Sequence, residues 1–118
     1  MPDDRIDGFS AEVTYRDGAA VVVVRGDVDL ATAARFRAAL DAAVDGCGRV
    51  EVDFRDTTFM DSTGLAALLG VHKRLGQARE AVVIHDPSPA VRLVLDISGV
   101  TGLVDVRTDG ARPHSDRP

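Results

Sequence analysis

Apolar residues along this chain fall into short blocks whose spacing switches between a period of two and a period of about 3.6. Residues 11–15 alternate and read as a strand. Arg16-Asp17-Gly18 follows, and an Asp-Gly pair between strand-like runs favours a tight hairpin. Residues 19–25 contain Val21-Val22-Val23-Val24, a continuous β-branched run that suits a strand buried on both faces. Gly26-Asp27-Val28-Asp29-Leu30 is expected to end that strand. Ala33, Phe36, Leu40 and Val44 then recur at helical spacing and predict a helix over 31–44. Asp29 or Thr32 would cap it, and Gly46-Cys47-Gly48 would stop it.

The second half repeats the alternation. Residues 50–54 predict a strand, and Asp56-Thr57-Thr58 a loop. Leu65, Leu68, Leu69, His72 and Leu75 predict the inward face of a second helix, with Ala66, Ala67 and Gly70 on its outward face before Lys73, Arg74 and Gln77. Residues 81–85 read as a strand. Asp86-Pro87-Ser88-Pro89 breaks it and starts a third helix, because Pro89 suits a first helical position. Val91, Val94 and Leu95 give that helix its apolar face, and Ser98-Gly99 ends it. A short last strand is expected over 103–106. The order is β-β-α-β-α-β-α-β, an α/β fold with a mostly parallel sheet, since helices between strands imply parallel neighbours. Residues 1–9 read as a frayed N-terminus, 10–108 as a single domain and 109–118 as a disordered tail.

Composition narrows the function. The chain has 118 residues, enough for one modest core. Aromatics make up 4% with no Trp, so the core is aliphatic and few rings are left for stacking on bases. A net charge of −5 also argues against binding a phosphate backbone. The single cysteine, Cys47, rules out an internal disulfide and reads as a passive turn residue. No apolar run approaches the ~18 residues of a membrane span, and the acidic N-terminus is unlike a signal peptide, so a cytoplasmic protein is expected.

The chemistry centres on Asp61-Ser62-Thr63-Gly64, at the junction of strand and helix. Any of the three polar residues could be an ordinary helix cap. The sharper reading is phosphorylation of Ser62, because a helix N-terminus tolerates an added anion. The small residues Ala66, Ala67 and Gly70 beyond it would form a flat patch for a partner, unless a neighbouring element covers them. A rival is an aspartate-phosphorylated receiver with an acidic pocket of Asp27, Asp29, Asp53 and Asp61. That rival needs a lysine at a late strand end, and the only lysine, Lys73, falls on a helix. A Ser62-His85-Asp86 hydrolase lacks Gly-x-Ser-x-Gly, and Asp61-Ser62-Thr63 is not the Asp-Ser-Gly of an aspartic protease. His72 reads as a satisfied, partly buried histidine. The histidines and the cysteine give no metal spacing, and no phosphate-binding glycine loop is present, so no metal or cofactor is expected.

Three segments resemble the STAS family, and within it the bacterial anti-sigma factor antagonists. They are the turn 24–32 (Val-Arg-Gly-Asp-Val-Asp-Leu-Ala-Thr), the run 52–65 with its Phe59-Met60-Asp61-Ser62-Thr63-Gly64-Leu65 signature, and Pro87–Arg92 with Ile97-Ser98-Gly99. The likeness spans about residues 10–108. Asp27 stands where the family more often has glutamate. The resemblance implies a small sheet with helices on one side and a binding module, not an enzyme. It implies capture of an anti-sigma factor that is also an ATP-using serine kinase, release when that kinase phosphorylates Ser62, and reversal by a serine phosphatase. It puts Asp27, Asp29, Asp61 and Thr63 near the kinase-contacting surface. Gly64 and the small-residue positions Ala66, Ala67 and Gly70 complete the expected partner-binding set. A generic interaction module, with Ser62 only a cap, is the plainer alternative.

Overall fold

The computed structural model describes residues 8–46 and 48–108. Cys47 and the proposed tail 109–118 lie outside the described residues. The hairpin forms as expected: β1 (Ser10–Arg16) pairs antiparallel with β2 (Ala19–Val28). Its two-residue turn has positive φ at both Asp17 (54°) and Gly18 (79°), the type I′ geometry that matches strand twist. Next come α1 (Ala33–Gly46), β3 (Val50–Met60), α2 (Ser62–Arg74), β4 (Val82–His85), α3 (Pro89–Ser98) and β5 (Asp105–Arg107). Short 3-10 turns at Arg79–Ala81 and Val100–Gly102 precede β4 and β5.

The sheet order is β1-β2-β3-β4-β5, with every pair after the first parallel. Successive right-handed crossovers that all step the same way put all helices on one face. One core cluster accordingly joins Val22, Val52, Phe54 and Ile84 of the sheet to Phe36 and Leu40 of α1, Leu68 of α2 and Leu95 of α3. The four consecutive valines of β2 are all at most 7% exposed, so the strand is buried on both faces.

Two strands run further than the sequence suggests. β2 continues through Gly26 to Val28, and β3 through Asp56-Thr57-Thr58 to Met60. Two register shifts, at Val23/Arg25 and Gly26/Asp27, absorb the turn-forming residues as bulges. Gly26 sits at φ 92°, where an added Cβ would collide with the Gly8 carbonyl oxygen, so only glycine lets the entering chain pass. Thr57 is fully buried and donates its hydroxyl to the Val24 carbonyl at 2.9 Å. The described part of the N-terminus is not frayed either: Phe9 is 1% exposed in the core, with the Arg35 guanidinium 5.0 Å above its ring.

The extensions matter because they carry the ends of β2 and β3 out together. Asp27 pairs with Phe59 and Val28 with Met60, directly before α2 begins.

Candidate functional site

The start of α2 is set by Asp61, not by Ser62. Asp61 is the N-cap: its Oδ1 accepts from the Thr63 amide at 2.9 Å and from the Thr63 hydroxyl. Its own amide donates to the Val28 carbonyl at 3.1 Å, which ties the cap to the end of β2. These donors, the Thr63 hydroxyl first, hold the Asp61 carboxyl below the ordinary carboxylate value of 3.8, against a smaller opposing effect of burial. Ser62 is thereby released from capping. It occupies the first helical position, exposed, and its hydroxyl has no hydrogen-bond partner among the described residues.

Because the folded carboxyl titrates lower than the unfolded one, the unfolded chain takes up this proton first as pH falls. The stabilisation by Asp61 is complete above the unfolded value and is lost as pH drops through the folded one. Asp61→Ala should therefore cost about 1 kcal/mol at neutral pH, the usual worth of a cap. The deficit should shrink below about pH 4. Thermal melts of both proteins across pH check this, and a deficit unchanged in acid would count against it.

Gly64 explains how the helix sits so close to the sheet. A Cβ there would lie 2.8 Å from both Met60 Cγ and Val28 Cγ1. The residue is buried beneath the helix, so it positions Ser62 and offers a partner no surface. The same close seat sets the rotation of α2. Gly64, Ala67, Leu68, Val71 and His72 face inward. Leu69, expected inside, is 38% exposed. Ala67, expected outside, is only 6% exposed, because it lies about 140° around the helix from Ser62. It floors a shallow groove of about 170 Å³ between α1 and α2, beside Ala66 and Gly70, with Arg37 on the α1 side. α1 is the neighbour that covers part of the small-residue patch.

Around Ser62 the rim is acidic and apolar together. Asp27 is exposed and accepts from the Thr58 hydroxyl. Asp29 is half-buried, and its Oδ1 accepts from the amides of Ala31 (3.0 Å) and Thr32 (3.2 Å). Thr32 in turn accepts from the Asp29 amide and donates to the Asp27 carbonyl at 2.6 Å, locking the turn before α1. Leu30 (81% exposed) and Phe59 (46%) flank this turn as surface hydrophobics. Sequence reasoning assigned neither to the surface. The available signal was that adjacent Phe59 and Met60 on one strand cannot both face the core.

The other candidates do not assemble. Asp53 lies within β3, 2% exposed, with Oδ1 accepting from the Arg55 amide, about eight residues along the chain from the rim. The acidic pocket of a receiver is therefore not formed. His85 Nε2 is 2.6 Å from Glu51 Oε1, and Arg49 is 3.0 Å from Glu51 Oε2. These groups sit on the sheet face opposite the helices, so no Ser62-His85-Asp86 triad exists. Asp86 pairs with Arg55 at 3.2 Å. His72 is buried as expected, but its Nε2 has no partner among the described residues. No group of metal-binding side chains occurs among the described residues. None of the described helices is long and apolar enough to cross a membrane.

A family model described as "Mlab, STAS domain" matches residues 12–105. This chain belongs to the STAS-domain family. The domain is 28% identical over 97 residues to the anti-sigma F factor antagonist of Paenibacillus polymyxa, covering 80% of this chain and 83% of that protein. It matches the crystal structure of an anti-sigma factor antagonist from Mycobacterium paratuberculosis with a TM-score of 0.76 and 26% identity, over 86% of this chain and 87% of that one. SpoIIAA, an anti-sigma factor antagonist, shares the fold in two solved states. Its unphosphorylated form gives a TM-score of 0.70 at 23% identity, over 85% of this chain and 90% of that one. Its phosphorylated form, from Bacillus, gives 0.63 at 24% identity, over 86% and 92%. The fold of this STAS domain, a five-stranded mostly parallel sheet with three helices, agrees with these structures.

Proposed function

We propose that this STAS domain is an anti-sigma factor antagonist whose binding is switched by phosphorylation of Ser62. Unmodified, it captures an anti-sigma factor serine kinase and frees the sigma factor. The kinase transfers the γ-phosphoryl group of ATP to Ser62 Oγ: the new O–P bond forms as the bond to ADP breaks, and the hydroxyl proton leaves to a base on the kinase. The modified domain is released, and a serine phosphatase hydrolyses the ester to restore binding.

One observation carries this reading. Asp61 does the capping, and Ser62, one residue on, is left exposed with an unpartnered hydroxyl on the acidic and apolar rim. The contact surface is then Asp27, Asp29, Leu30 and Phe59 on one side of Ser62, with Ala66 and Gly70 along α2. Asp61 and Thr63 orient the serine, while Gly64 and Ala67 support the helix from beneath. The relatives named as anti-sigma factor antagonists, and a phosphorylated form of one of them, support the assignment.

Incubation with ATP and a purified anti-sigma factor serine kinase tests it. Mass spectrometry should find one hydroxylamine-stable phosphate on Ser62. Ser62→Ala should take up none and remain in complex with the kinase on gel filtration. Phosphate on an aspartate, or no phosphate on Ser62, would overturn the proposal.

A further inference from the structure

We infer that the partner kinase has a second docking point on this domain, about two helical turns along α2 from Ser62. It is a recess that takes one apolar side chain of the kinase, with a carboxylate beside it for Lys73. This rests on the function proposed above and adds a contact with the same partner.

The recess encloses about 400 Å³ between the end of α2 and the 3-10 turn before β5, lined by Leu69, His72, Lys73, Gln77 and Leu103. Leu69 is 38% and Leu103 47% exposed. Single exposed leucines are ordinary on a protein surface, but these two, from different elements, wall one concavity. His72 borders it, is 7% exposed, and keeps a buried Nε2 without a partner among the described residues. The recess is thus walled by two leucines, with Lys73 and Gln77 at its polar edge.

Lys73 is the chain's only lysine, in a protein of net charge −5. Arg25, Arg49, Arg55, Arg74, Arg92 and Arg107 each have a carboxylate in ion-pair range. Lys73, exposed in the last turn of α2, has none among the described residues; Arg37 and Arg79 also have none, but of the three only Lys73 lines the recess. A carboxylate on the occupant complements it.

Continuity with Ser62 selects the occupant. Ser62, Ala66, Leu69 and Lys73 fall at intervals of four, three and four, so they share one exposed stripe of the helix. Ser62 and Leu69 are about 10 Å apart along the axis. A kinase segment lying on that stripe covers Ser62 and reaches the recess without bending. Such a segment carries a Leu, Met or Phe with Asp or Glu about one turn away.

The test uses the full chain and a purified anti-sigma factor serine kinase that phosphorylates it on Ser62. Calorimetry would compare unmodified wild type with Lys73→Glu, Leu103→Asp and Ser62→Asp, with thermal melts confirming that each is folded. Lys73→Glu and Leu103→Asp should each weaken binding about tenfold or more. Hydrogen exchange should show that the kinase protects amides of 69–77 and 101–104 as well as those near Ser62. If both variants bind within about twofold of wild type while Ser62→Asp loses binding, the second docking point is overturned and the Ser62 reading stands. A kinase that does not bind wild type at all overturns both.

Discussion

Ser62→Asp should bind the anti-sigma factor kinase about 100-fold more weakly than wild type, whereas Ser62→Ala should bind within a few-fold. The asymmetry follows from the surroundings. The Ser62 hydroxyl has no partner within the domain, so its removal breaks nothing there. A carboxylate or phosphate at the same place adds negative charge beside Asp61, whose carboxyl is held ionised by Thr63, and on the rim that carries Asp27 and Asp29. Covering that charge with a partner strips its water, and an unpaired desolvated charge costs several kcal/mol, so even partial desolvation accounts for the factor. The domain itself should keep its melting temperature, because the first turn of α2 presents amides and a dipole that favour an anion. Calorimetry gives the affinities, and circular dichroism gives the melts. Equal affinities for the two variants would sink the charge switch. A large fall in melting temperature for Ser62→Asp would relocate its effect from the partner to the fold.

Gly64→Val should lower stability by about 2–3 kcal/mol, which shifts the melting temperature by about 10 °C or more. The site beneath Gly64 has no room: Met60 and Val28 already stand 2.8 Å from the position of a first added carbon. Both are buried core residues at the ends of β3 and β2, so relief requires α2 to lift. Lifting breaks the hydrogen bond from the Asp61 amide to the Val28 carbonyl and carries Ser62 off the rim. Phosphorylation of Ser62 should fall with stability. Gly70→Ala is the contrast, since an added Cβ there meets nothing within 4 Å on an exposed helix face. It should gain about 0.5–1 kcal/mol from helix propensity. Similar melts for the two glycine variants would show that α2 is not seated by Gly64.

Local chemistry made much of this domain legible. The Asp17-Gly18 turn adopts its predicted geometry because two-residue hairpins need positive φ at both positions. The Ser88-Pro89 start of α3 forms because the serine hydroxyl accepts from the Val91 amide and proline needs no donor there. The longer courses of β2 and β3 were hidden, because Gly26 and Asp56 look like breakers until a partner strand turns them into bulges. The rotation of α2 was hidden for a similar reason. Leu65, Leu68, Leu69 and His72 make one apolar face; Gly64, Ala67, Leu68 and Val71 make another. Hydrophobicity alone favours the leucines. Steric fit favours the glycine and alanine, because the helix starts in contact with Met60 and Val28.

The order of elements, the parallel character of the sheet and the junction where Ser62 stands were all readable from residue order alone. Those features depend on residues within a few positions of one another, and on crossovers whose handedness is general. Packing between elements was needed to make Asp61 the cap and leave Ser62 free, to bury Asp53 and His85 away from the rim, and to choose which face of α2 stays exposed. Each of these depends on how closely one element approaches another, and close packing resolves that only when the neighbouring side chains are in place.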